Sequence, residues 1–299
     1  GYCLVRSGCR RIRGGHNEIR LPFPPHDLGF MLYCSYGNGF RLNPTSESEG
    51  VLINGAHALS ARYNPVVKCI RSWNKWRDYS YPVIIDNMMN LEMLMWAYKR
   101  TGDDTFKNIA ISHANTTKLH HFREDYSSFH VVAYDLKSGK VLQRGTDQGY
   151  GDDSSWARGQ AWALYGYTMM YRETGNEDYL NLAWHIADFI LNHPHLPKDK
   201  IPYWDFDSPG IPDDYRDSSS AAIIASALLE LSKYSEGHRC ERYYTVAEQQ
   251  LRMLASDEYM AEVGTNGFFI LKHGVGNIPQ NSELDAPLSY GDYYFIEAL

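Results

Sequence analysis

Tyr171-Arg172-Glu173-Thr174-Gly175-Asn176-Glu177 repeats the wording of Tyr98-Lys99-Arg100-Thr101-Gly102-Asp103-Asp104, and Tyr234-Ser235-Glu236-Gly237 echoes both more loosely. A glycine just past the last helical residue, followed at once by Asp or Asn, is the chemistry of a short helix-to-helix turn. The glycine takes the left-handed conformation that ends one helix, and the next side chain caps the following one. Recurrence of that joint signals a repeated helical hairpin.

Working outward from the joints, the apolar pattern predicts helix pairs over 27–40 and 47–63, 86–100 and 104–121, 156–173 and 177–193, and 218–235 and 242–258. A last helix begins near Asp292 and is cut off at Leu299. The members of a pair differ. Met88, Met89, Leu91, Met93, Leu94, Met95, Trp96 and Ala97 place apolar groups nearly all round the first helix of their pair, which predicts burial on both sides. In a second helix, Leu180, Ala183, Trp184, Ala187, Ile190 and Leu191 form one stripe and leave Asn181 and Asp188 outside. Inner helices sheathed by outer ones describe an all-α fold, an α/α barrel or toroid. Residues 128–134 and 140–144 flank Asp135-Leu-Lys-Ser-Gly139 and predict a small β-hairpin insertion, and 267–273 predicts a second short β segment.

The 299 residues suffice for one large core, and no Pro/Gly/Ser linker divides them. Residues 1–25 stand apart as an atypical N-terminal segment, with scattered arginines, Gly14-Gly15 and three prolines. The α/α-barrel domain is therefore placed at 26–299. Aromatic residues reach 14%, which suits a carbohydrate cleft and nearly as well a helical core. The net charge is -7 without any basic block, which argues against a nucleic-acid partner. No apolar run has the length of a membrane span and the first residues do not read as a signal peptide. A soluble protein, cytoplasmic or periplasmic, is expected, with compartment and oligomeric state left open. Five cysteines without metal-ligand spacing suggest neither a disulfide framework nor a zinc site.

Ser154-Ser155-Trp156-Ala157-Arg158-Gly159-Gln160-Ala161-Trp162, just after Asp147-Gln148-Gly149-Tyr150, sets a guanidinium, amides and indoles at a helix mouth. With Ser154 or Ser155 as the cap, Arg158 lies in the first turn and Trp162 one turn on, along the same face. A planar cation beside aromatic rings is suited to a sugar that carries a carboxylate. The alternative is a buried aromatic helix start with Arg158 in a structural ion pair. Inner helices of a toroid run parallel, so their N-termini gather at one end. Asp27, Asp86 and Asp217, each at the start of an inner helix, would share that end with His26, Arg158 and Trp162. Helix capping explains such aspartates equally, and Asp217, followed by three serines, best of all. Asn87 and Asn90 add polar groups to an apolar helix beside Asp86. A carboxyl buried among aromatics beside a second carboxylate has a raised pKa, as acid/base work on a sugar needs. Trp73 and Trp76 precede Asp86 and can wall the same pocket.

His26-Asp27-Leu-Gly-Phe, Cys34-Ser-Tyr-Gly-Asn38-Gly, Tyr81-Pro-Val-Ile-Ile-Asp86-Asn-Met-Met-Asn90, Ser127-Ser-Phe-His130-Val-Val, Gln148-Gly-Tyr150 and Ser155-Trp-Ala-Arg158-Gly-Gln-Ala-Trp162 together resemble the unsaturated glucuronyl hydrolases, glycoside hydrolase family 88. So do Ile201-Pro-Tyr-Trp204-Asp-Phe-Asp207, Asp217-Ser-Ser-Ser-Ala-Ala, Asn281-Ser-Glu-Leu-Asp285 and Asp292-Tyr-Tyr-Phe-Ile-Glu-Ala298. The resemblance runs from about residue 26 to 299. It implies an (α/α)6 barrel that takes an unsaturated uronic acid off the non-reducing end of lyase-made oligosaccharides of glycosaminoglycan type. The implied chemistry is hydration of the C4–C5 double bond. In that scheme Asp86 is general acid and base, and Asp27 the second essential carboxylate. His26, Trp73, Asn87, His130, Gln148, Arg158 and Trp162 are substrate-binding, and no metal or organic cofactor is required. Two departures stand out. Asp147 occupies a place where a histidine is expected, and residues 1–25 offer no counterpart to the family's first helical hairpin. The competing readings are an unsaturated rhamnogalacturonyl hydrolase and a truncated sugar-binding toroid without turnover. An epimerase is weaker, because it needs paired histidines at the barrel centre.

Overall fold

The computed structural model describes residues 26–299, so the reading of residues 1–25 falls outside it. The described residues begin with α1 (Leu28–Leu32), which passes through a π turn at Tyr33–Gly37 into α2 (Asn38–Leu42), then α3 (Ser46–Ser60). Short strands β1 (Tyr63–Asn64) and β2 (Cys69–Ile70) pair with each other. Strand β3 (Pro82–Ile84) leads into a 3-10 turn at Ile85–Asn90 and on to α4 (Leu91–Thr101) and α5 (Asp104–His120). Strands β4 (Val131–Tyr134) and β5 (Val141–Gly145) follow, then α6 (Ala157–Thr174), α7 (Glu177–Asn192), α8 (Ser218–Ser232), α9 (Gly237–Leu254) and α10 (Ser289–Ala298).

The two strong joints form as their sequence demands. Gly102 and Gly175 take φ of 75° and 67°. Asp103 and Asn176 then cap α5 and α7 through the backbone N–H two residues on, at 2.9 and 3.0 Å. The third joint is looser, because α8 ends at Ser232 and Glu236 is the N-cap of a helix that starts at Gly237, five residues earlier than expected.

Residues Ala157 to Met170 of α6 are all buried, as are Ser218 to Leu228 of α8, whereas α7 and α9 bury one stripe each. The inner segments α4, α6, α8 and α10 pack in succession. Segment α10 packs back against α1 and α2, where Phe30 stacks on Tyr294 and Asn38 donates to the Tyr293 hydroxyl at 3.0 Å. This is the expected α/α toroid, and its inner ring encloses the main apolar core.

Several boundaries differ from expectation. Residues 27–40 are not one regular helix, since the π turn interrupts them and Ser35 donates its hydroxyl to the carbonyls of Met31 and Leu32. No strand forms over 267–273. The backbone N–H groups of Ile270 and Leu271 are taken by the Asp292 carboxylate at 2.9 and 2.8 Å, so they are withheld from a strand partner. Asp292 therefore sits inside the first turn of α10 instead of opening it. The hairpin expected near residue 135 is present, and an unforeseen strand joins it. β3 pairs antiparallel with β4, Ile84 facing Val131, to give a sheet ordered β3-β4-β5.

Among the described residues no helix is long and apolar enough to cross a membrane.

Candidate active site

That extra strand brings the chemistry together. The ladder continues one residue past its last pair, with Ile85 N–H donating to the His130 carbonyl at 3.0 Å, so Asp86 and His130 emerge side by side. Their facing atoms, Asp86 Oδ2 and His130 Nε2, lie 3.5 Å apart, and both are buried without a hydrogen-bond partner. The His130 ring is set between indoles, tilted against Trp156 at 4.5 Å and edge-on to Trp73 at 5.8 Å.

Asp27 arrives from the far side through an amide chain. Asn90, fully buried, donates to the His26 carbonyl at 2.9 Å and accepts from Phe30 N–H at 3.0 Å. One side chain thus fixes the start of α1 on the turn that carries Asp86. The approach is close enough to require Gly29, where a Cβ would meet the Asn90 carbonyl oxygen at 2.6 Å. Asn87, expected to touch substrate, serves this scaffold instead. It is fully buried, donates to the Ile70 carbonyl and to Ser72 Oγ at 2.8 and 2.9 Å, and accepts from Asn90.

Both carboxyls are pushed up to about 7. For Asp86 burial is the main cause, with the Asp27 charge adding to it, while Arg158, its own backbone N–H and the Trp162 indole N–H pull the other way. For Asp27 burial again dominates, against the Arg62 charge. Asp27 still keeps 36% of its side chain open to solvent and Asp86 17%, so these are carboxyls enclosed by protein yet reachable. Burial lowers His26 to about 4, helped by Arg62. Its 3.1 Å contact with Asp27 is therefore a neutral imidazole against a carboxyl near neutral pH.

Arg158 satisfies both sequence-based readings at once. It stacks over Trp156 and Tyr290, at 4.6 and 5.3 Å to the ring centroids. It also ion-pairs with Asp217 at 3.2 Å and donates to the backbone carbonyls of Val275 and Gly276. Gln148 reaches the same Gly276 carbonyl at 3.1 Å, so both tie the 275–276 backbone to the site. Asp217 caps α8 as expected, accepting from Ser219 N–H at 3.1 Å, and carries the ion pair as well. Trp162 is buried against Phe30, Tyr290 and Tyr294.

Neither Ser154 nor Ser155 caps α6; the N-cap is Trp156. The strand-like run beside it supplies the acceptors, the Trp204 carbonyl taking Ala157 N–H at 3.0 Å and Asp205 taking the Ser154 hydroxyl at 2.7 Å. Trp76 is buried with Ile84 and Val131 and stacks on Tyr79 under the Arg77 guanidinium. Sequence reading missed Tyr290, Arg62 and Ser72, each of which comes from an element whose place is fixed only by the closed ring or by β3.

Comparison with known proteins finds relatives over most of the chain. An unsaturated glucuronyl hydrolase of Formosa agariphila is 51% identical over 276 residues, 92% of this chain and 68% of that protein. An unsaturated chondroitin disaccharide hydrolase of Streptococcus pneumoniae is 33% identical over 94% of this chain and 71% of its own length. A solved unsaturated glucuronyl hydrolase specific for heparin superposes with a TM-score of 0.89 at 53% identity, covering 92% of this chain and 74% of that one. No protein-family model matches the chain.

Proposed function

Because this chain belongs to the unsaturated glucuronyl hydrolase family, we propose that Asp86 and Asp27 remove an unsaturated uronic acid from the non-reducing end of glycosaminoglycan-type oligosaccharides left by lyases. The observation that carries the assignment of roles is the pair of enclosed carboxyls, both held near neutral pKa, with Asp86 under the Trp162 N–H and beside Arg158.

Protonated Asp86 gives its proton to C4 of the enol ether, and positive charge develops at C5 and the ring oxygen. Water adds at C5 and returns a proton to the Asp86 carboxylate. The resulting C5 hemiketal opens to a ketone and leaves a hemiacetal at C1, which expels the remaining sugar. A carboxyl that must act first as acid and then as base works best with a pKa near the working pH, and burial beside Asp27 provides that. Asp27 and His26 bind and orient the ring. Trp73 and Trp162 supply apolar walls, and Arg158 and Gln148, themselves anchored on the 275–276 carbonyls, hold the anionic end of the sugar. The chemistry differs from ordinary glycoside hydrolysis because it starts away from the anomeric carbon.

Following the ultraviolet absorbance of the conjugated enol ether in an unsaturated disaccharide tests this directly. Wild-type chain should bleach it and Asp86→Asn should not. A folded chain that binds the sugar without bleaching it would establish the non-hydrolytic toroid instead.

A further inference from the structure

His130 is enclosed on every side, and its two ring nitrogens face different worlds. Nδ1 receives the backbone N–H groups of Asp147 and Gln148 at 3.1 and 3.3 Å, with the Thr146 hydroxyl at 3.4 Å. Backbone N–H groups can only donate, so Nδ1 must offer its lone pair, and in a neutral ring the proton then resides on Nε2. Nε2 is the atom that faces Asp86 Oδ2.

We propose that the turn at 146–148 locks His130 in the tautomer protonated on Nε2, and that His130 is a positioning residue whose N–H steadies the Asp86 carboxylate in the basic half of its cycle. This deepens the reading of Asp86 as acid and base and rests on it.

The turn is itself built for the task. Strand β5 ends at Gly145 opposite Val131, which delivers residues 146–148 beside His130. Asp152 then pins the turn, accepting Thr146 N–H at 3.0 Å while Arg77 holds the same carboxylate through two hydrogen bonds of 2.8 and 2.6 Å. Only glycine at 145 leaves room for this, since a Cβ there would meet Asp152 Oδ1 at 2.3 Å. The Thr146 hydroxyl is oriented by Gly149 N–H at 2.7 Å. A chain of fixed polar contacts therefore runs from the Arg77–Asp152 pair on the rim to the carboxyl that does the chemistry. Burial, with Arg158, His121 and His26 adding to it, holds His130 well below the ordinary imidazole range, which keeps it a neutral donor and rules it out as a proton source at neutral pH. The other groups that bear on Asp86 are Asp27, Arg158, Tyr290 and the Trp162 N–H, and none of them sits on the His130 segment.

Nitrogen-15 chemical shifts of the histidine rings in the full chain test the tautomer without reference to turnover, with His130→Gln identifying the signal. The expected spectrum has His130 protonated on Nε2 and unchanged from about pH 5 to 9, where an ordinary histidine titrates. A ring protonated on Nδ1, or one that takes up a second proton in that range, overturns the proposal. In kinetics, loss of a donor to the carboxylate raises the Asp86 pKa. His130→Ala should lower kcat roughly 10- to 100-fold and move the alkaline limb of the kcat profile up by about half a pH unit or more. His130→Gln, which keeps an N–H near the same place, should restore the limb, and Asp152→Asn should shift it in the same direction by less. A rise in KM with the limb unmoved in His130→Ala would make His130 a substrate contact only. Absence of bleaching by the wild type would instead count against the activity itself and leave the tautomer result standing.

Discussion

The two ends of the same inner helices treat buried charge in opposite ways. Around the C-terminal end of α6, Arg172 pairs with Glu173 and with Glu92 of the first turn of α4, and grips Glu230 through both oxygens at 2.8 and 2.9 Å. Lys99 holds the other Glu173 oxygen at 2.7 Å. Glu297 accepts from Tyr165, Tyr293 and Ser226 at 3.1, 3.2 and 2.7 Å. Roughly 20 Å away along α6, at 1.5 Å per residue, the N-terminal end leaves Asp86 Oδ2 and His130 Nε2 buried and unpartnered. One end spends its polar groups on one another; the other leaves the facing Asp86 and His130 atoms 3.5 Å apart, without a hydrogen bond between them. The difference separates a structural network from a working site more reliably than a raised pKa does, because Glu92 is also pushed up to about 7 by burial.

The comparison breaks most visibly at Asp86. Asp86→Asn should cut turnover about 1000-fold or more while leaving sugar binding within a few-fold of wild type, as measured by calorimetry. A variant that keeps more than a tenth of the activity would move the acid/base role elsewhere, Asp27 first. At the opposite end, Arg172→Met should leave three glutamates facing one another and destabilise the fold by about 1–2 kcal/mol, because this ion-pair network is only partly buried. Denaturant unfolding reads that loss. The kcat profile of the remaining folded protein should not move, and a displaced limb would show that the two clusters are coupled.

Stability against pH sharpens the contrast further. An aspartate with an ordinary pKa near 3.8 that sits near 7 in the folded protein is favoured folded when protonated. As pH rises through 3.8 the unfolded chain ionises freely while the folded one resists, so stability falls until about pH 7 and is level above it. Asp86→Asn removes that penalty. It should therefore stabilise the chain by about 1–3 kcal/mol at pH 8, with the coupled Asp27 charge sharing the effect, and by little near pH 4. Equal melting shifts at both pH values would mean that the Asp86 carboxyl is not strained by its surroundings.

What the sequence disclosed follows the range of the interactions. The helix joints were legible because Gly102, Asp103, Gly175 and Asn176 act within a few residues of themselves. Asp27, Asp86, Arg158 and Trp162 were legible as a group because parallel inner helices collect their N-termini. Strand β3 was not, since Pro82–Ile84 is three residues long and is held by a partner almost fifty positions on. With β3 unseen, His130 stood alone in its hairpin and its approach to Asp86 could not be read. Asn87 misled for a related reason. An amide beside a candidate catalytic aspartate looks like a ligand group until Ile70 and Ser72 arrive from another segment to occupy it. The missed cap of α6 has the same origin, because Asp205 and Trp204 come from a run that only the folded ring lays alongside.

Asp147 offers the smallest and most selective probe. It sits half-buried on the rim next to the His130 turn, where its carboxylate accepts from Gln280 at 3.1 Å. Burial raises its pKa and Arg77 opposes the rise, but that arginine is already engaged by both oxygens of Asp152. On the proposed function, an ionised Asp147 would face the anionic sugar across the mouth of the site. Asp147→Asn keeps an acceptor for Gln280 and removes the repulsion, worth under about 1 kcal/mol for a partly exposed charge. KM for an unsaturated disaccharide should fall about 2- to 4-fold at low ionic strength, with kcat unchanged and the gain fading as salt screens it. A larger gain on sulfated than on plain disaccharide would identify Asp147 as a filter against added negative charge. Equal gains would confine its influence to the uronate carboxylate, and no gain at any salt concentration would mean that the rim does not sense substrate charge through this residue.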